Sequence, residues 1–281
     1  YNTEQDNILL DYDYVDVQKY EKQKLIFADS DIKIYKIADK QTGKLYLAKK
    51  MKSKKFSFTN FFDEIRFYFE LNHPSFLKFI RYSPVDFKNR DYSMIITECG
   101  QNGTLESVLE LDMKSQNERI LNPTKQLIIL YGIASAMSNM HSHNRIHSLL
   151  KPSNIYLDDF LFPRIYGFNK LKYISENPIQ NLNDLDFSCN DFEDIYQAPE
   201  YSVFSKISAA SDVYSFSMIA YQVVSNELPF EDVNYDILEQ IYVNWLRPEF
   251  GENFPECYKN LIEKCWQLDP IERPTFDEIT Y

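Results

Sequence analysis

Few residues of this sequence are spaced for metal or thiol chemistry. The four cysteines lie far apart, without a Cys-x-x-Cys pair, at Cys99, Cys189, Cys257 and Cys265. This spacing excludes a zinc ribbon and a disulfide scaffold, and it fits a reducing cytosol. His147 also has no metal-ligand partner at useful spacing. We therefore predict no metal site.

Glycines set a second limit, on phosphate binding. Only six occur among 281 residues, at Gly43, Gly100, Gly103, Gly132, Gly167 and Gly251. A loop that cradles phosphates needs glycines where backbone N–H groups approach the ligand closely. Any such loop must be built from these six, and none of them precedes residue 43.

The strongest signals are four strings in the second half of the chain. They are HSLLKPSNI at 147–155, QAPE at 197–200, DVYSF at 212–216 and CWQLDPIERPTF at 265–276. In the same order they resemble the H-R-D-L-K-P-x-N-I, A-P-E, D-V-Y-S-F-G and C-W-x-x-D-P-x-x-R-P-T-F strings of protein kinases. The chain is thereby identified as a member of the protein kinase superfamily, of tyrosine-kinase-like type, over residues 20–281.

The resemblance implies a nucleotide site in the first half of the chain and the catalytic loop. Lys49 matches the lysine that binds phosphates, and Glu64 matches the helix glutamate that pairs with it. Two alternatives stay open, a solvated lysine at a strand end and an ordinary first-turn helix acid. Thr97 matches the gatekeeper, with the hinge beginning at Glu98. The vestigial nucleotide-binding residues are predicted to be Lys49, Glu64, Thr97, Glu98, Lys151 and Asn154.

The glycine-rich loop of the family is degenerate in this chain. Its three glycine positions fall at Phe27, Asp29 and Ile32. Asp29 and Asp31 also set negative charge beside the place of a triphosphate, and two like charges 4 Å apart repel by about 1 kcal/mol in water. We predict an ordinary hairpin turn without a ligand.

Two catalytic positions are degenerate as well. Leu149 replaces the aspartate that orients the hydroxyl nucleophile, and Gly167 replaces the aspartate that holds magnesium. Leucine has no lone pair, and such a carboxylate contributes roughly 10² to 10⁴ in rate. Asn154 alone is a poor site for a hard dication. We predict that no catalytic residue set is intact and that binding of ATP and Mg²⁺ is absent or weak.

A further departure concerns the slot for adenine. Leu47 replaces a small alanine in its ceiling, and Tyr156 replaces a leucine in its floor. Both changes add volume to a slot one aromatic ring thick. Our hypothesis is that Leu47 and Tyr156 meet and block the pocket. The alternative, that one of them rotates outward and leaves a pocket, stays open.

Residues that hold the shape of the family are retained. These structural positions are Tyr68, Phe79, His147, Phe168, Glu200, Asp212 and Arg273. The resemblance implies that the first four form a hydrophobic column standing on Asp212. It also implies a buried ion pair of Glu200 and Arg273, in which loss of one partner costs several kcal/mol.

Patterns between these residues predict the elements that position them. Apolar alternation around Gly43 predicts a hairpin, and helical spacing from Phe61 to Phe69, after capping residues at 59–60, predicts a helix. The basic run at 49–55 is predicted to be mostly a solvated connection, and the overall acidity disfavours the alternative of a nucleic-acid patch. A helix from Pro123 is predicted to have an apolar face of Leu127, Leu130, Tyr131, Ala134, Met137 and His141.

The order of elements is strand-rich before residue 100 and helix-rich after it, which predicts an α+β, bilobal protein-kinase-like fold. The predicted N-lobe, 20–99, has a small antiparallel β-sheet and one helix. The predicted C-lobe, 100–281, is larger and mainly α-helical, with its last helix trimmed. Residues 1–19 are predicted to be an N-terminal extension.

Charge and hydropathy limit the classes of partner and the cellular locations that the sequence predicts. A net charge of −12 disfavours nucleic acid. No apolar run of eighteen residues could span a membrane, and no secretory signal opens the chain, so a cytoplasmic location is predicted. The acidic segment from Gly167 to Glu200 is either a docking loop for a basic partner or a solvated loop. Phosphorylation of Tyr173 or Tyr196 is a weaker hypothesis.

These features predict a pseudokinase. It would not be an enzyme but a protein-binding scaffold or allosteric regulator in signalling, next to an active kinase or another signalling protein. One alternative is a nucleotide-binding pseudokinase without phosphotransfer. The other is an atypical active Ser/Thr protein kinase that uses displaced groups such as Asp158 or Asp159, which are otherwise expected to form a turn.

Overall fold

The chain divides into two compact units. The computed structural model describes residues 14–28, 31–52, 58–115, 119–167, 172–173, 194–200, 207–230 and 246–281. One unit comprises Tyr1–Asn72 and Leu77–Gly100, and the other comprises His73–Phe76 and Gln101–Tyr281. The predicted site residues Asp29 and Phe168 lie outside the described residues.

The first unit is built on an antiparallel sheet. Its strands are β1 (Tyr20–Ala28), β2 (Ile32–Asp39), β3 (Leu45–Met51), β4 (Phe79–Ser83) and β5 (Met94–Glu98), in the order β1-β2-β3-β5-β4. The predicted hairpin of β2 and β3 turns at Gly43, whose φ of +70° favours glycine. Asp39 closes this turn by accepting hydrogen bonds from the backbone N–H groups of Gln41 and Thr42, at 2.9 and 2.8 Å.

One helix, α1 (Phe58–Glu70), belongs to the first unit. It includes the predicted capping residues 59–60, so it begins earlier than predicted. The reason lies in the sequence, because the apolar spacing of Phe61 and Ile65 extends back to Phe58. Phe61 and Ile65 are buried, and the Phe61 ring contacts that of Tyr82 on β4 at a centroid distance of 6.1 Å.

Residues 14–19, which we call the N-terminal strap, are part of the first unit. The strap ends in a 3-10 turn at Val17–Lys19, and Asp16 caps this turn by accepting from the N–H of Gln18 at 2.9 Å. Val15 and Val17 are buried in the same apolar cluster as Ile37 and Met94 from the sheet. The described end of the predicted extension is therefore packed against the sheet.

The second unit is mainly α-helical. Its helices are α2 (Leu105–Lys114), α3 (Pro123–Ser142), α4 (Ala209–Ser225), α5 (Glu256–Cys265) and α6 (Phe276–Thr280). Helix α4 is buried from Ser211 to Val224, as its apolar composition predicts. It begins with a capping box of Ser208 and Ser211 and ends at Asn226, whose φ of 65° places it in the left-handed region.

The predicted apolar face of α3 is partly wrong. Leu130, Ala134 and Met137 are buried, but Leu127 and Tyr131 are 57% and 58% exposed. Helix α3 packs against both α4 and α6, which come much later in the chain. These two neighbours cover a stripe that helical spacing in α3 alone does not identify; its other buried apolar members are Ile129, Ile133, Ala136 and Met140.

Two small antiparallel ladders frame the string at 147–155. Strand β6 (Arg145–Ile146) pairs with β9 (Lys172–Tyr173), and β7 (Ile155–Leu157) pairs with β8 (Pro163–Ile165). The predicted α+β fold class is confirmed by this sheet unit and helical unit. Within the described residues, none of the helices combines the length and apolar character that crossing a membrane requires.

Candidate active site

A buried ion pair joins two of the predicted nucleotide-binding residues. Lys49 on β3 donates from Nζ to both carboxylate oxygens of Glu64 on α1, each at 2.7 Å. The two side chains are 11% and 3% exposed. Charges buried this deeply need a partner. Lys49 is therefore not a solvated lysine, and Glu64 lies in the body of its helix rather than in the first turn.

The next residue forms a second buried ion pair. Successive side chains of a strand alternate between its faces, and Lys50 Nζ lies 2.6 Å from Oδ2 of Asp86. The same oxygen accepts from Arg90 at 2.7 Å. Although burial opposes it, hydrogen bonds from Arg90 and Lys50 hold the pKa of Asp86 far below its ordinary value of 3.8. The prediction of a solvated connection is wrong at Lys50.

The degenerate glycine positions surround the turn from β1 to β2. Phe27 pairs with Ile34 and is 46% exposed, whereas Ile32 is only 4% exposed. Asp29 lies outside the described residues. Neither described position leaves the bare backbone that a glycine-built phosphate cradle uses.

Thr97 and Glu98 end strand β5. Thr97 is buried, and its register partners are Leu47 on β3 and Phe79 on β4. The carboxylate of Glu98 accepts the backbone N–H of Lys78 at 3.0 Å, and the N–H of Glu98 donates to the Lys78 carbonyl at 3.0 Å. Glu98 is therefore tied into the first unit.

Part of the predicted hydrophobic column is visible within the first unit. The rings of Tyr68 on α1 and Phe79 on β4 lie 6.0 Å apart. His147 belongs to the second unit, and Phe168 lies outside the described residues. The column as a whole stays a prediction.

Asp212, at the start of α4, holds the backbone of the loop after β6. Its Oδ2 accepts the N–H of His147 at 2.8 Å, and its Oδ1 accepts the N–H of Ser148 at 2.9 Å. The ring Nε2 of His141 on α3 lies 2.9 Å from Oδ2. Ser148 has a φ of 60°, a backbone conformation that is rare outside glycine. The buried carboxylate thus stabilises a strained stretch of loop.

His147 is a neutral core residue. Burial lowers the pKa of its imidazole below the ordinary 6.5. Its Nε2 lies 2.9 Å from the carbonyl oxygen of Tyr166, and a carbonyl only accepts, so Nε2 carries the proton. Nδ1 is then free to accept the N–H of Leu149 at 3.3 Å. His147 therefore fixes the loop backbone through both ring nitrogens.

Hydrogen bonds fix the backbone of the loop, but its position 149 lacks a proton acceptor. The side-chain amide of Asn154 donates to the carbonyl oxygen of Leu149 at 2.7 Å. A 3-10 turn at Pro152–Asn154 is closed by the N–H of Asn154, which donates to the Lys151 carbonyl at 2.9 Å. The leucine side chain itself can neither accept nor orient a proton.

Gly167 brings no ligand for a cation. Its φ is +98°, and a Cβ at this position would lie 3.2 Å from Cγ of Asn154. In the part of the chain that the structure describes, no group of three or more His, Cys, Asp or Glu side chains could hold a metal ion. Of the side chains at these two family positions, only that of Asn154 has an oxygen that could contact magnesium.

Leu47 and Tyr156 are both buried, each 3% exposed. Tyr156 on β7 packs on Tyr166 at a centroid distance of 4.9 Å. Because Leu47 belongs to the first unit and Tyr156 to the second, the hypothesis that they block one pocket stays a prediction, and so does the alternative of an open pocket.

Glu200 and Arg273 form a bidentate pair. Nη1 and Nη2 of Arg273 donate to Oε1 and Oε2 of Glu200 at 2.6 and 2.8 Å, and both side chains are buried. Arg273 also donates to the carbonyl oxygens of Ala210 and Gln267. The pair connects the end of the QAPE string with the start of α4 and the CWQLDPIERPTF string.

Of the two tyrosines considered for phosphorylation, Tyr196 has a described side-chain hydrogen bond. The hydroxyl of Tyr196 donates to the side-chain oxygen of Gln222 on α4 at 2.5 Å. A phosphate on Tyr196 would have to break this bond. Tyr173 lies in β9, and its modification stays a prediction. Most of the acidic segment at 167–200 lies outside the described residues.

Sequence reasoning missed two contributors to the site. It placed His141 on the apolar face of α3, whereas the His141 ring contacts the carboxylate of Asp212. It also did not assign Asp86, the partner of Lys50. The sequence signal for His141 was its position as a polar ring within an otherwise apolar helix face, which indicates a polar partner. Asp86 had none, because it lies 36 residues from its partner.

Comparison with known proteins places these features in a family. The sequence model of the family described as protein kinase domain matches residues 22–281. Serine/threonine-protein kinase 12 of Arabidopsis thaliana is 32% identical over 227 residues, which cover 78% of this chain and 46% of that protein. Dual specificity protein kinase pyk3 of Dictyostelium discoideum is 28% identical over 191 residues, 67% of this chain and 13% of that protein.

A third relative is named as an inactive kinase. A probable inactive serine/threonine-protein kinase of Dictyostelium discoideum is 32% identical over 150 residues, 52% of this chain and 7% of that protein. The chain spans less than half the length of each of these three curated relatives.

These findings correct two predictions. The prediction that the chain is not an enzyme is wrong, because the family match and the relatives named as serine/threonine and dual specificity kinases point to an enzyme. The prediction that ATP and Mg²⁺ binding is absent or weak is wrong for the same reason, since protein kinases normally use both. The chain belongs to the protein kinase domain family.

Proposed function

We propose that the chain is an ATP-dependent protein kinase domain that phosphorylates hydroxyl groups of proteins slowly, through an atypical catalytic loop. The observation that carries this proposal is the buried pair of Lys49 and Glu64, with Nζ 2.7 Å from both carboxylate oxygens. In protein kinases this lysine–glutamate pair must be in place for phosphoryl transfer. An ATP molecule would supply the phosphoryl group.

The chemistry of the pair fits the binding of phosphates. An ammonium group has three N–H donors and no acceptor. Lys49 Nζ donates two hydrogen bonds to the carboxylate of Glu64, so a further N–H donor remains for a phosphate oxygen. Because Glu64 holds the ammonium in one position, little side-chain entropy remains to be lost when a phosphate binds.

The catalytic loop limits the rate. Asp212 and the ring of His147 hold its backbone, but Leu149 provides no carboxylate to orient the attacking hydroxyl. The rate is expected to be lower by roughly 10² to 10⁴ than with an aspartate at this position. Positioning and electrostatic stabilisation supply the remaining catalysis, as is usual in phosphoryl transfer.

The substrate class is proposed from the relatives and from one string. Relatives named as serine/threonine-protein kinases support transfer to serine and threonine. The string at 265–276 supports a place among tyrosine-kinase-like members. Free thiols at Cys99, Cys257 and Cys265 support a reducing, cytoplasmic location.

The test compares two neighbouring lysines. Lys49→Met and Lys50→Met each remove a buried lysine from strand β3 and leave a buried carboxylate behind. We expect the wild type and Lys50→Met to incorporate labelled phosphate from ATP into a generic protein substrate, and Lys49→Met to incorporate none. Thermal unfolding of each variant, with and without ATP and Mg²⁺, shows how much of the protein is folded and how much binds nucleotide.

Equal incorporation by all three proteins, or none by the folded wild type, contradicts the proposal. A wild type whose melting temperature rises with ATP while no phosphate is transferred supports the alternative of nucleotide binding alone. That result also contradicts the proposal of slow transfer.

We further propose that the domain regulates signalling proteins by binding them. This role is supported by the shape-holding contacts of Asp212 and of the pair Glu200–Arg273, which do not depend on turnover. In a cell that lacks the chain, Lys49→Met is expected to restore part of the lost function. If the wild type complements and folded Lys49→Met does not, the binding role is wrong.

A further inference from the structure

The N-terminal strap is attached to β4, an edge strand of the sheet. Tyr14 forms a parallel bridge with Tyr82, and the N–H of Val15 donates to the carbonyl oxygen of Tyr82 at 2.9 Å. The attachment is anchored in the core, because Val15 and Val17 are 6% and 0% exposed. The place of Tyr14 beside β4 is therefore set by buried neighbours.

Three aromatic rings connect the strap to helix α1. Tyr14 meets Tyr82 edge-on, with centroids 6.3 Å apart and an interplanar angle of 72°. Tyr82 meets Phe61 in the same way, at 6.1 Å and 70°. Edge-to-face geometry at these distances is favourable beyond simple burial. Tyr82 and Phe61 are 6% and 4% exposed, whereas Tyr14 is 52% exposed.

Helix α1 carries the carboxylate of the ion pair. Phe61 lies three residues before Glu64, and residues at this spacing are neighbours on a helix surface. Glu64 in turn holds Lys49 Nζ at 2.7 Å. The contacts thus run from the strap through Tyr82 and Phe61 to the helix that positions the lysine.

We propose that Tyr14 and Tyr82 are positioning residues for Glu64: the strap holds helix α1 in the register at which Glu64 meets Lys49. This inference rests on the proposed function, because it deepens the role of the same ion pair. The strap therefore sets ATP affinity from outside the site, and loss of the contact between Tyr14 and Tyr82 lowers that affinity.

Tyr14 allows a clean test because it is half-exposed. Tyr14→Ala removes one ring contact without opening a cavity in the core, and Tyr14→Phe keeps the ring. Tyr131→Ala is the matched control, since Tyr131 is 58% exposed on α3 of the second unit. Amide hydrogen exchange is measured for peptides that cover 61–70 in α1 and 209–225 in α4, and ATP affinity is measured in parallel.

We expect Tyr14→Ala to speed exchange in α1 by about 2- to 10-fold, the fold-change that one edge-to-face contact corresponds to. Exchange in α4 stays unchanged, and ATP affinity falls by a similar factor. Tyr14→Phe and Tyr131→Ala keep wild-type exchange in α1.

Unchanged exchange of α1 in Tyr14→Ala overturns the inference. Equal acceleration in α1 and α4 also overturns it, because it marks a general loss of stability. The proposed function is tested separately: a folded wild type that binds no ATP contradicts that function, while the exchange of α1 still decides whether Tyr14 positions the helix.

Discussion

The two units keep different kinds of candidate functional residues. In the first unit two of the predicted nucleotide-binding side chains are themselves paired, Lys49 with Glu64. In the second unit the backbone framework is kept, because Asp212 binds the N–H groups of His147 and Ser148, but residue 149 is leucine. Backbone N–H groups are present whatever the side chain is. The backbone shape of the loop at 147–155 therefore does not depend on the side chain at position 149. A leucine can replace a carboxylate there without changing the hydrogen bonds that fix the loop.

The largest expected effect comes from restoring the missing group. Leu149→Asp places a carboxylate on a loop whose backbone is already fixed by Asp212 and His147. We expect phosphate transfer to rise by roughly 10² to 10⁴, the usual contribution of a positioned acid–base group. Initial rates with labelled ATP at saturating substrate measure this change.

The matched control for that gain is Leu149→Asn, which has nearly the shape of aspartate but cannot take up a proton. Its rate is expected to stay near that of the wild type. If both variants are as slow as the wild type while melting at the same temperature, the loop does not have the catalytic shape, and its shape and its proton acceptor are not separable.

The framework of the second unit can be broken through a pair that takes no part in chemistry. Arg273→Met leaves Glu200 buried without its bidentate partner. The free energy of unfolding is expected to fall by about 3 to 5 kcal/mol, because an uncompensated charge remains inside. Urea unfolding at neutral pH measures the loss.

An exposed ion pair provides the comparison for that variant. Lys114 and Glu110 lie 3.7 Å apart with side chains 75% and 61% exposed, so Lys114→Met is expected to cost less than about 0.5 kcal/mol. Adding Glu200→Leu to Arg273→Met removes the stranded charge and is expected to recover stability. No recovery in the double variant would mean that packing, rather than charge, carries the effect.

Lowering the pH is expected to reduce the free energy of unfolding, because His147 is buried in the second unit. Burial lowers the pKa of His147 in the folded protein, so the unfolded chain binds its proton more readily. Stability is therefore complete above the unfolded pKa, about 6.5, and declines as the pH falls below it, by up to about 1.4 kcal/mol per pH unit. Burial of His73 lowers its pKa and acts in the same direction.

Urea midpoints between pH 7 and pH 5 test this dependence. His147→Gln is expected to flatten the decline, whereas His143→Gln, at the exposed end of α3, is expected to leave it unchanged. An identical decline in the wild type and His147→Gln would assign the pH dependence to other groups.

Sequence patterns predicted those parts of the molecule that local rules determine. The turn at Gly43 follows from the apolar alternation around it, and the partnership of Lys49 with Glu64 is what the resemblance to protein kinases implies. The exposure of Leu127 on α3 and the burial of Lys50 were not predicted by such local patterns. Burial at these two positions depends on neighbours distant in sequence, α4 and α6 for the helix and Asp86 for the lysine.

The N-terminal strap shows the same limit. Its acids and aromatics have no helical or strand periodicity, so the sequence predicts no more than an extension there. Its packing depends on Tyr82, more than sixty residues later. The ion pair of Lys49 and Glu64 was thus implied by the resemblance to protein kinases, whereas the contacts proposed to position it were not predicted.

The smallest expected effect concerns the hairpin that carries Lys49. Gly43 has a φ of +70°, and a Cβ there would meet no atom within 4 Å, so Gly43→Ala is expected to cost about 1 kcal/mol through backbone conformation alone. Gly251→Ala is the matched control, because its Cβ also meets nothing within 4 Å and its φ is not in the left-handed region. That variant is expected to be neutral or stabilising by about 0.4 to 1 kcal/mol. Equal urea midpoints for the two variants would contradict the left-handed turn, and with it the register that places Lys49 opposite Ile34 on β2.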